Sequence, residues 1–227
     1  MEIVVFTGAG ISAESGIKTF RDSGGLWEEH SIYDVATPEA WEKDPQLVLR
    51  FYNDRRKQME SVIPNTAHKE LVELERSHNV SIITQNVDDL HERAGSSNVL
   101  HLHGELKMAR STGDESLLYD YTGKSIEFGE NCEKGYQLRP HVVWFGEMVP
   151  NLVLAENIAS KADVFIVVGS SLQVYPAAGL IHATPPHCRY FYIDPKAEPI
   201  NGIANLNIIK EKASTGVPKL ASELAKL

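Results

Sequence analysis

Short apolar runs alternate with helical patterns along the chain, and this alternation predicts the fold. The runs are rich in β-branched and aromatic residues and mostly end at turn residues, as buried strands do. They lie at residues 3–6, 80–83, 142–144, 164–168 and 190–193. Apolar residues at helical spacing occupy other segments, at 46–62, 66–77, 155–161 and 214–226. Strands that alternate with helices predict an α/β fold, a Rossmann-like doubly wound parallel sheet.

Two segments interrupt this alternation and predict a second, smaller lobe. Residues 18–64 contain a polar loop before a helical segment, and residues 105–139 contain scattered Gly, Asp and Glu with little periodicity. We therefore expect a single domain, 1–227, with two lobes. The expected large lobe spans about 1–20, 65–103 and 141–227, and the small lobe about 21–64 and 104–140. Ligands of such sheets bind at the carboxyl ends of the strands, so the cleft between the lobes is the expected site.

Composition and charge narrow the class of protein. A chain of 227 residues, 42% of them hydrophobic, can bury one substantial core with a small appended lobe. The net charge of -9 disfavours broad capture of nucleic acid or of an anionic membrane. No basic region precedes the first apolar run, and no apolar stretch approaches the ~20 residues of a membrane helix. The two cysteines, Cys132 and Cys188, lie far apart. We therefore expect a cytoplasmic protein in a reducing compartment.

Two glycine-containing turns follow predicted strands. The first strand runs into residues 8–12 (GAGIS), after which a helix is expected to begin, and 164–168 runs into 169–171 (GSS). Glycines let the backbone approach a pyrophosphate, and a helix N-terminus attracts its charge. Ala13 stands where the oxidoreductase fingerprint has glycine, so a plain strand-to-helix turn explains the first motif equally well. A nucleotide between the two turns is a stronger hypothesis than either turn alone.

Polar residues and two histidines follow other predicted strands. Gln85, Asn86 and Asp88 come after 80–83 and are expected to point into the cleft, although Asp88 as a simple helix cap is an alternative. His101 and His103 are expected to share one face of a short strand that begins at 99. Histidine suits proton transfer near neutral pH, but with nine histidines in the chain any one of them is more often structural. The glycine at 104 favours His103, because it permits close approach of backbone and ligand.

These motifs together resemble the sirtuin family. The opening block GAGISAESGI at 8–17, followed by TFR at 19–21, is similar to the sirtuin opening motif. Later blocks match in the correct order: TQNVD at 84–88, HG at 103–104, VVWFGE at 142–147 and GSSL at 169–172. The resemblance spans nearly the whole chain.

The resemblance implies an NAD-dependent protein-lysine deacylase. In such enzymes NAD is consumed: the acyl oxygen of an acyl-lysine attacks the ribose carbon as nicotinamide leaves. The products are nicotinamide, free lysine and an O-acyl-ADP-ribose. His103 is implied as the general base on a ribose hydroxyl, with Asn86 and Asp88 around the nicotinamide and its ribose. The block at 142–147 is implied to pair with the substrate peptide as an added strand.

The same resemblance assigns binding residues. The implied NAD-binding residues are Gly8, Ala9, Gly10, Ser12, Glu14, Phe20, Arg21, Gln85, Asn86, Asp88, Gly169, Ser170, Ser171 and Ala213. The implied substrate-binding residues are Tyr52, Arg55, Val142, Val143, Trp144, Phe145, Gly146 and Glu147.

The chain departs from the sirtuin pattern in two places. Most sirtuins carry two Cys-x-x-Cys pairs after the catalytic histidine, whereas only Cys132 lies in that interval here. Four Cys or His ligands build a structural zinc site, so we expect no zinc and a small lobe held by ordinary packing. The expected packing residues are Leu117, Leu118, Tyr119, Tyr121, Ile126 and Phe128. Tyr192 also stands where many sirtuins have an asparagine near the adenine ribose, which puts that ribose contact in doubt.

Tyr52 and Arg55 bear on the acyl group. They are three residues apart in a predicted helix and therefore share a face. A guanidinium can hold a carboxylate by two hydrogen bonds, and a tyrosine hydroxyl can add a third. By itself a solvated helix face explains the pair better. The Tyr-x-x-Arg arrangement nevertheless resembles the sirtuin subgroup that removes succinyl and malonyl groups, and it implies weaker activity on acetyl.

Other functions remain open at this level. ADP-ribosyl transfer to protein would use the same NAD site with a different acceptor, and a non-catalytic NAD or ADP-ribose sensor would use the site without turnover. Hydride transfer is a weaker alternative. The expected partners are acylated-lysine proteins or peptides, without nucleic acid or membrane, and the expected assembly is a monomer.

Overall fold

A computed structural model describes residues 1–17, 26–27 and 30–226 of the chain. Phe20 and Arg21, which the sequence assigns to the NAD site, lie outside the described residues.

Strands and helices alternate through the described residues. The strands, in chain order, are β1 (Glu2–Thr7), β2 (Leu26–Trp27), β3 (His30–Ser31), β4 (Asn79–Thr84), β5 (Val99–His101), β6 (Gly104–Ser111), β7 (Leu118–Asp120), β8 (Leu138–Val142), β9 (Val164–Val168), β10 (Arg189–Ile193) and β11 (Leu206–Ile209). The helices are α1 (Ala9–Ala13), α2 (Ile32–Val35), α3 (Pro38–Lys43), α4 (Pro45–Ser61), α5 (Thr66–Leu74), α6 (Leu90–Ala94), α7 (Leu152–Ala159) and α8 (Ala213–Leu224). A 3-10 helix spans Ala177–Ala183.

Local sequence signals set the ends of the longer helices. Asp44 caps α4 by accepting a hydrogen bond from the Leu47 N–H at 2.9 Å, and proline occupies the first turn, where no amide hydrogen is needed. Asn65 caps α5 in a capping box whose second member is His68. The helix predicted at 66–77 therefore begins where expected, although it ends at Leu74.

Six parallel strands form the main sheet, in the order β11-β10-β9-β1-β4-β5. Counted along the chain within this sheet, that order is the 3-2-1-4-5-6 arrangement of a Rossmann-like fold. The predicted α/β doubly wound class is confirmed. The strand order reverses between β1 and β9, so the switch point lies where the two glycine-containing turns leave the sheet.

Alternate residues of the central strands pack on opposite faces of the sheet. Ile3 and Val5 face a core that includes α5 and α8, whereas Val4 and Phe6 face a core that includes α7 and the 3-10 helix. All four side chains are at most 3% exposed. The period-2 alternation buries both faces, which is why these strands appear as continuous apolar runs in the sequence.

A second, antiparallel sheet in the order β7-β6-β8 packs with α2, α3 and α4. β8 ends at Val142, so the strand predicted at 142–144 is wrong beyond its first residue. Cys132 packs among apolar side chains in this part of the chain, together with Leu49, Ala109, Tyr121, Ile126 and Leu138, and with Leu117 and Tyr119 at the edge. Leu118 and Phe128 are exposed, contrary to expectation.

No helix among the described residues combines the length and the apolar character that crossing a bilayer requires.

Candidate functional site

The two glycine-containing turns lie against each other at the switch point. Gly10 N donates to Gly169 O at 2.8 Å, and a Cβ at Gly10 would lie 2.6 Å from the Gly169 Cα. A Cβ at Gly8 would likewise lie 2.8 Å from the Ser170 Cα. These glycines are therefore required by the contact of the two turns with each other. The expectation that the helix starts after Ser12 is wrong, because α1 begins at Ala9.

Asn86 and Asp88 follow β4 and are held by a buried hydrogen-bond network centred on Ser12. Ser12 Oγ donates to Asp88 Oδ2 at 2.9 Å and accepts from Asn86 Nδ2 at 3.1 Å. Asn86 Nδ2 also donates to Gly8 O, which ties the end of β4 to the first glycine-containing turn.

The N-cap of α6 is Asp89, which makes no side-chain cap hydrogen bond, so Asp88 is not the cap residue. Asp88 Oδ1 accepts from Leu90 N at the start of the helix, and Asp88 lines the cleft. Burial raises the pKa of Asp88 to about 6, despite these hydrogen bonds.

His103 lies just beyond β5 with one nitrogen fixed. Its Nδ1 is 3.0 Å from the carbonyl oxygen of Gln85, which can only accept, so Nδ1 carries the proton and Nε2 offers a lone pair. Burial lowers the pKa of His103 and keeps the ring neutral. A Cβ at Gly104 would lie 2.1 Å from His141 O, so this glycine admits the neighbouring strand rather than a ligand. A ring of this kind can accept a proton near neutral pH.

His101 has a different environment, because β5 ends at this residue and His103 lies in the bend that follows. Its Nδ1 lies 2.9 Å from Asn86 O and its Nε2 lies 2.8 Å from Glu92 Oε1, so both nitrogens can donate. Burial opposes the charged ring, but hydrogen bonding and charge attraction from Glu92 raise the pKa of His101 overall. The expected shared face of the two histidines is therefore wrong.

One cavity of about 920 Å³ brings the predicted site residues together. Every site residue named from the sequence that lies within the described ranges lines it, from both glycine-containing turns to His103, Tyr52 and the block at 142–147. The members on the sheet side are Gly8, Ala9, Gly10, Ser12, Glu14, Gln85, Asn86, Asp88, His103, Gly169, Ser170, Ser171 and Ala213. The members from α4 and the segment after β8 are Tyr52, Arg55, Val142, Val143, Trp144, Phe145, Gly146 and Glu147.

Tyr52 and Arg55 line the cavity from α4. Tyr52 is 2% exposed, and its ring packs edge-on against Phe51 at 5.1 Å between centroids. The Arg55 guanidinium carbon lies 5.1 Å from the centroid of the Phe51 ring. Desolvation raises the pKa of Tyr52, although Trp144 and Arg139 act against the rise, so the phenol stays protonated and can donate. The two side chains do not form a solvated helix face.

The segment after β8 turns back on itself and is anchored by Glu147. The Glu147 carboxylate accepts hydrogen bonds from the Trp144 N–H at 2.7 Å and from Arg139 Nη1 at 2.6 Å, and it pairs with Arg110 at 3.3 Å. The Arg139 guanidinium stacks 3.2 Å from the centroid of the Trp144 ring. Val143 N donates to His103 O at 2.9 Å, which joins this segment to the catalytic candidate.

Sequence reasoning missed several cavity residues after β10. Asp194 and Lys196 line the cavity, as does Lys212 at the cap of α8. Asp194 follows the carboxyl end of a parallel strand, so the rule that picked Asn86 would also have found it. Tyr192 does not line the cavity. It is buried, and its hydroxyl donates to the carbonyl oxygen of Ser170, which does, at 2.8 Å.

Glu14 also makes a contact that the motif does not reveal. Its carboxylate accepts from the Ser214 N–H at 2.9 Å and from the Ser214 hydroxyl at 2.8 Å. This contact fixes the first turn of α8 next to α1, with Ala213 and Glu14 both at the cavity wall. A single sequence gives no signal for a contact across 200 residues.

The segment that carries zinc ligands in most sirtuins does not offer a matching ligand set. Cys132 is buried, and its thiol lies 3.3 Å from the Ser111 hydroxyl. Among the described residues, one group of three possible ligands brings its donor atoms within 4.8 Å of one another, and it consists of Glu92, His101 and Glu105. The residues of the small sheet therefore do not fit a four-cysteine zinc site.

Comparisons with known proteins show which sequences and folds this chain is similar to. The Sir2 family model matches residues 8–176. A protein of Helicobacter pylori (strain J99 / ATCC 700824) named NAD-dependent protein deacylase is 51% identical over 225 residues, covering 99% of this chain and 96% of that protein. Among solved structures, a Sir2 homologue in complex with NAD superposes with a TM-score of 0.88 at 42% identity, covering 99% of this chain and 89% of its own.

A further solved structure holds a peptide. It is a Sir2 protein with a deacetylated p53 peptide and 3'-O-acetyl ADP-ribose, with a TM-score of 0.83 and 31% identity, covering 98% of this chain and 93% of its own. The family model, the relative and both solved structures each match most of this chain. The chain therefore belongs to the Sir2 family, the sirtuins.

Proposed function

We propose that this sirtuin is an NAD-dependent protein-lysine deacylase that prefers succinyl- and malonyl-lysine to acetyl-lysine. The observation that carries the proposal is that His103 lines the same cavity as the two glycine-containing turns and as Tyr52 and Arg55. This shared cavity supports a site that combines a nucleotide-binding end, a base and an acidic-acyl end. The names of the relatives and the ligands of the solved Sir2 structures support the general reaction.

The cavity suits NAD in size and in chemistry. Its volume of about 920 Å³ is near the upper end of ordinary ligand pockets. Lys196 and Lys212 line it and supply positive charge for a pyrophosphate, while Ser170 and Ser171 supply hydroxyl and backbone groups. When bound, NAD supplies the ribose carbon that accepts the acyl oxygen while nicotinamide departs.

His103 is assigned as the general base. Its Nδ1–H donates to Gln85 O, so its Nε2 lone pair is available to take a proton from a ribose hydroxyl. The lowered pKa keeps this lone pair free at neutral pH. Asn86 and Asp88, fixed through Ser12, are assigned to the nicotinamide and its ribose.

Arg55 and Tyr52 are assigned to the distal end of the acyl chain. A succinyl or malonyl carboxylate can accept two parallel hydrogen bonds from a guanidinium and one from the phenol. Packing of Arg55 against the Phe51 ring limits the freedom of its side chain and orders the guanidinium before substrate binds. An acetyl group has no carboxylate to accept these hydrogen bonds, so it gains nothing from them.

The segment at 142–147 is assigned to the substrate peptide, with one refinement. Four of its backbone N–H groups donate within the protein, those of Val143, Trp144, Phe145 and Glu147. A peptide that adds here as a strand would therefore hydrogen-bond mainly to carbonyl oxygens of this segment.

A panel of peptides with one sequence and different acyl groups tests the function. Acetyl-, malonyl- and succinyl-lysine peptides are incubated with NAD, and released nicotinamide and deacylated peptide are quantified together. We expect one nicotinamide per deacylated lysine, with the acidic acyl groups fastest. Label from NAD found on protein rather than in O-acyl-ADP-ribose would identify ADP-ribosyl transfer instead. Binding of NAD without any acyl-dependent nicotinamide release would identify a sensor.

A further inference from the structure

Two buried histidines lie beside the site, and the chemistry above does not use them. His68 on α5 is 0% exposed and His91 on α6 is 1% exposed. Their rings meet edge to face, with centroids 4.9 Å apart. Buried imidazoles need hydrogen-bond partners, so their arrangement defines which nitrogen of each ring carries a proton.

The hydrogen bonds around His91 define its tautomer. The Thr7 hydroxyl donates to Thr84 Oγ1 at 2.8 Å, and a hydroxyl has only one hydrogen to donate. Thr7 Oγ1 must therefore accept from His91 Nε2, which lies 3.1 Å away. His91 thus carries its proton on Nε2, and its Nδ1 offers a lone pair.

His68 has the complementary arrangement. The Asn65 N–H donates to His68 Nδ1 at 3.3 Å, which places the His68 proton on Nε2. The two remaining ring nitrogens, His68 Nε2 and His91 Nδ1, are buried and have no other hydrogen-bond partner within the described residues. The described residues give neither of these nitrogens a hydrogen bond, so the contacts that orient the His91 ring lie on its Nε2 side, at Thr7.

The chain of hydrogen bonds that begins at His91 and passes through Thr7 and Thr84 ends at Asn86. Thr84 Oγ1 accepts a hydrogen bond from the Thr7 hydroxyl and a second one from the Asn86 N–H at 3.0 Å. Asn86 lines the cavity, and its side-chain amide donates to Gly8 O and to Ser12 Oγ. The hydrogen bonds from His91 through Thr7 and Thr84 therefore fix the backbone that presents Asn86 to the cavity.

We propose that His91 is a positioning residue for the nicotinamide end of the site: its Nε2–H orients the Thr7–Thr84 hydroxyl pair, and that pair holds Asn86 in place. The proposal rests on the proposed function in one respect, namely that Asn86 meets the nicotinamide end of NAD. Burial lowers the pKa of both His68 and His91, so both rings stay neutral and the direction of the hydrogen bonds does not change near neutral pH.

The test compares two substitutions at His91. His91→Gln keeps an N–H donor at the same number of bonds from Cα as Nε2, whereas His91→Leu removes the donor and keeps apolar volume. We expect His91→Leu to lower kcat and to raise the KM for NAD, with a combined loss of roughly ten- to a hundred-fold, the range expected for displacement of a positioned group. The KM for the acyl-peptide should not change, and His91→Gln should restore most of the loss.

Two further variants separate positioning from folding. Thr7→Val removes the middle hydroxyl and should reproduce the defect, which keeps the test valid if His91→Leu fails to fold. His78→Leu is the matched control, because it removes a histidine that does not line the cavity. The Nε2 of His78 lies 3.0 Å from the carbonyl oxygen of Leu224. It should lower the melting temperature without changing the KM for NAD. The proposal would be overturned if folded His91→Leu and Thr7→Val had the same kcat and KM for NAD as wild type. It would also be overturned if the kcat/KM for NAD of His91→Gln were no higher than that of His91→Leu.

Ligand binding separates this proposal from the deacylase assignment. Calorimetry on wild type and on His91→Leu should show weaker binding of NAD in the variant and equal binding of ADP-ribose, which lacks the nicotinamide. If wild type deacylates no peptide, the deacylase assignment fails, while the NAD and ADP-ribose comparison still decides the role of His91. Equal weakening for both ligands would show that His91 acts on the whole fold instead.

Discussion

Two histidines that are two residues apart have opposite protonation behaviour. His101 contacts Glu92 and has a raised pKa, whereas His103 contacts only a backbone carbonyl through Nδ1 and has a lowered pKa. The difference arises because burial penalises the charged form of both rings but only His101 has a carboxylate to offset it. Sequence spacing alone could not separate them, and the choice of His103 rested on the glycine that follows it and on its family motif.

The first prediction concerns His103 as the base. His103→Ala should lower kcat/KM for deacylation by ~10²–10⁴-fold, while NAD binding and the melting temperature stay close to wild type. For wild type, kcat/KM should rise with pH and reach half its maximum below pH 6.5, because burial lowers the pKa of the base. Rates measured from pH 5 to 8 check this. Near-normal turnover in the variant would move the base elsewhere, with His101 next.

Asp88 gives a prediction about stability. Its pKa is raised from 3.8 to about 6 by burial, so the folded protein keeps a proton that the unfolded chain has released. Stability should therefore fall as pH rises from about 4 to 6, by up to ~3 kcal/mol for a shift of about two units. In Asp88→Asn the free energy of unfolding should not show this decrease between about pH 4 and 6. Urea unfolding at pH 4.5 and 7 measures the difference between wild type and variant.

Asp89→Asn is the matched control for the loss of one carboxylate. Asp89 lies one residue along, and its carboxylate faces Arg93 at 3.5 Å rather than the Ser12 network. An identical pH dependence in wild type and Asp88→Asn would contradict the assignment of that window to Asp88. Deacylase activity should fall in Asp88→Asn even where its stability rises, because the carboxylate is assigned to the site.

At the level of elements, agreement between sequence and structure follows the regularity of the apolar pattern. The predicted strand at 164–168 matches β9, and the predicted helix at 46–62 matches α4 within one residue at each end. β6 was missed because a register shift between Gly104 and Ala109 breaks its alternation. β11 was missed because the polar Asn207 interrupts its apolar run.

α4 carries the prediction about acyl specificity. Arg55→Met should lose most of the preference for succinyl- over acetyl-lysine, roughly ten- to a hundred-fold in the kcat/KM ratio, since a charge-assisted hydrogen bond contributes ~1.5–3 kcal/mol. Methionine keeps a long apolar stem and removes the donors. Tyr52→Phe should act in the same direction with a smaller effect, because it removes one neutral hydroxyl. Acyl-peptide kinetics with both substrates provide the measurement.

Acetyl-lysine serves as the internal control for these variants. Activity on the acetyl peptide should survive both substitutions, because an acetyl group has no carboxylate to accept hydrogen bonds from Tyr52 and Arg55. Arg56→Met is a poor comparison, since Arg56 donates from Nε to Leu106 O at 2.8 Å in the core and its loss would destabilise the fold. Equal loss of acetyl and succinyl turnover in Arg55→Met would make Arg55 structural and remove the basis for an acidic-acyl pocket.

For the whole molecule, family membership could be read from ordered motifs, whereas the contacts that hold the motifs together could not. The sequence analysis assigned the glycines to nucleotide binding. In the structure Gly10 and Gly169 also lie so close together that neither position has room for a Cβ. The Glu14–Ser214 contact joins the first helix to the last and has no local signature. Sequence motifs therefore predict which residues a site contains, whereas contacts between residues distant in sequence fix the positions of those residues.

A prediction about metal content belongs to this scale. Purified, untagged protein should contain no stoichiometric zinc, because Cys132 is the one cysteine between His103 and His141 in the sequence. Its thiol packs beside Ser111 in an apolar cluster. Elemental analysis and the melting temperature with and without a chelator provide the test. One zinc per chain, retained against the chelator, would contradict the prediction and direct attention to Glu92, His101 and Glu105.

The position of β1 in the middle of the sheet has a consequence for how the protein is made. β1 is synthesised first, but it pairs with β9, which begins at Val164. At about 5–20 residues per second, a ribosome exposes β9 roughly 8–30 s after β1. Once β4 has paired with β1, the other edge of this apolar strand stays open until β9 emerges, and other nascent chains can pair with it. Yield in the cell should therefore depend on chaperones that shield the segment containing β1 until β9 has been made.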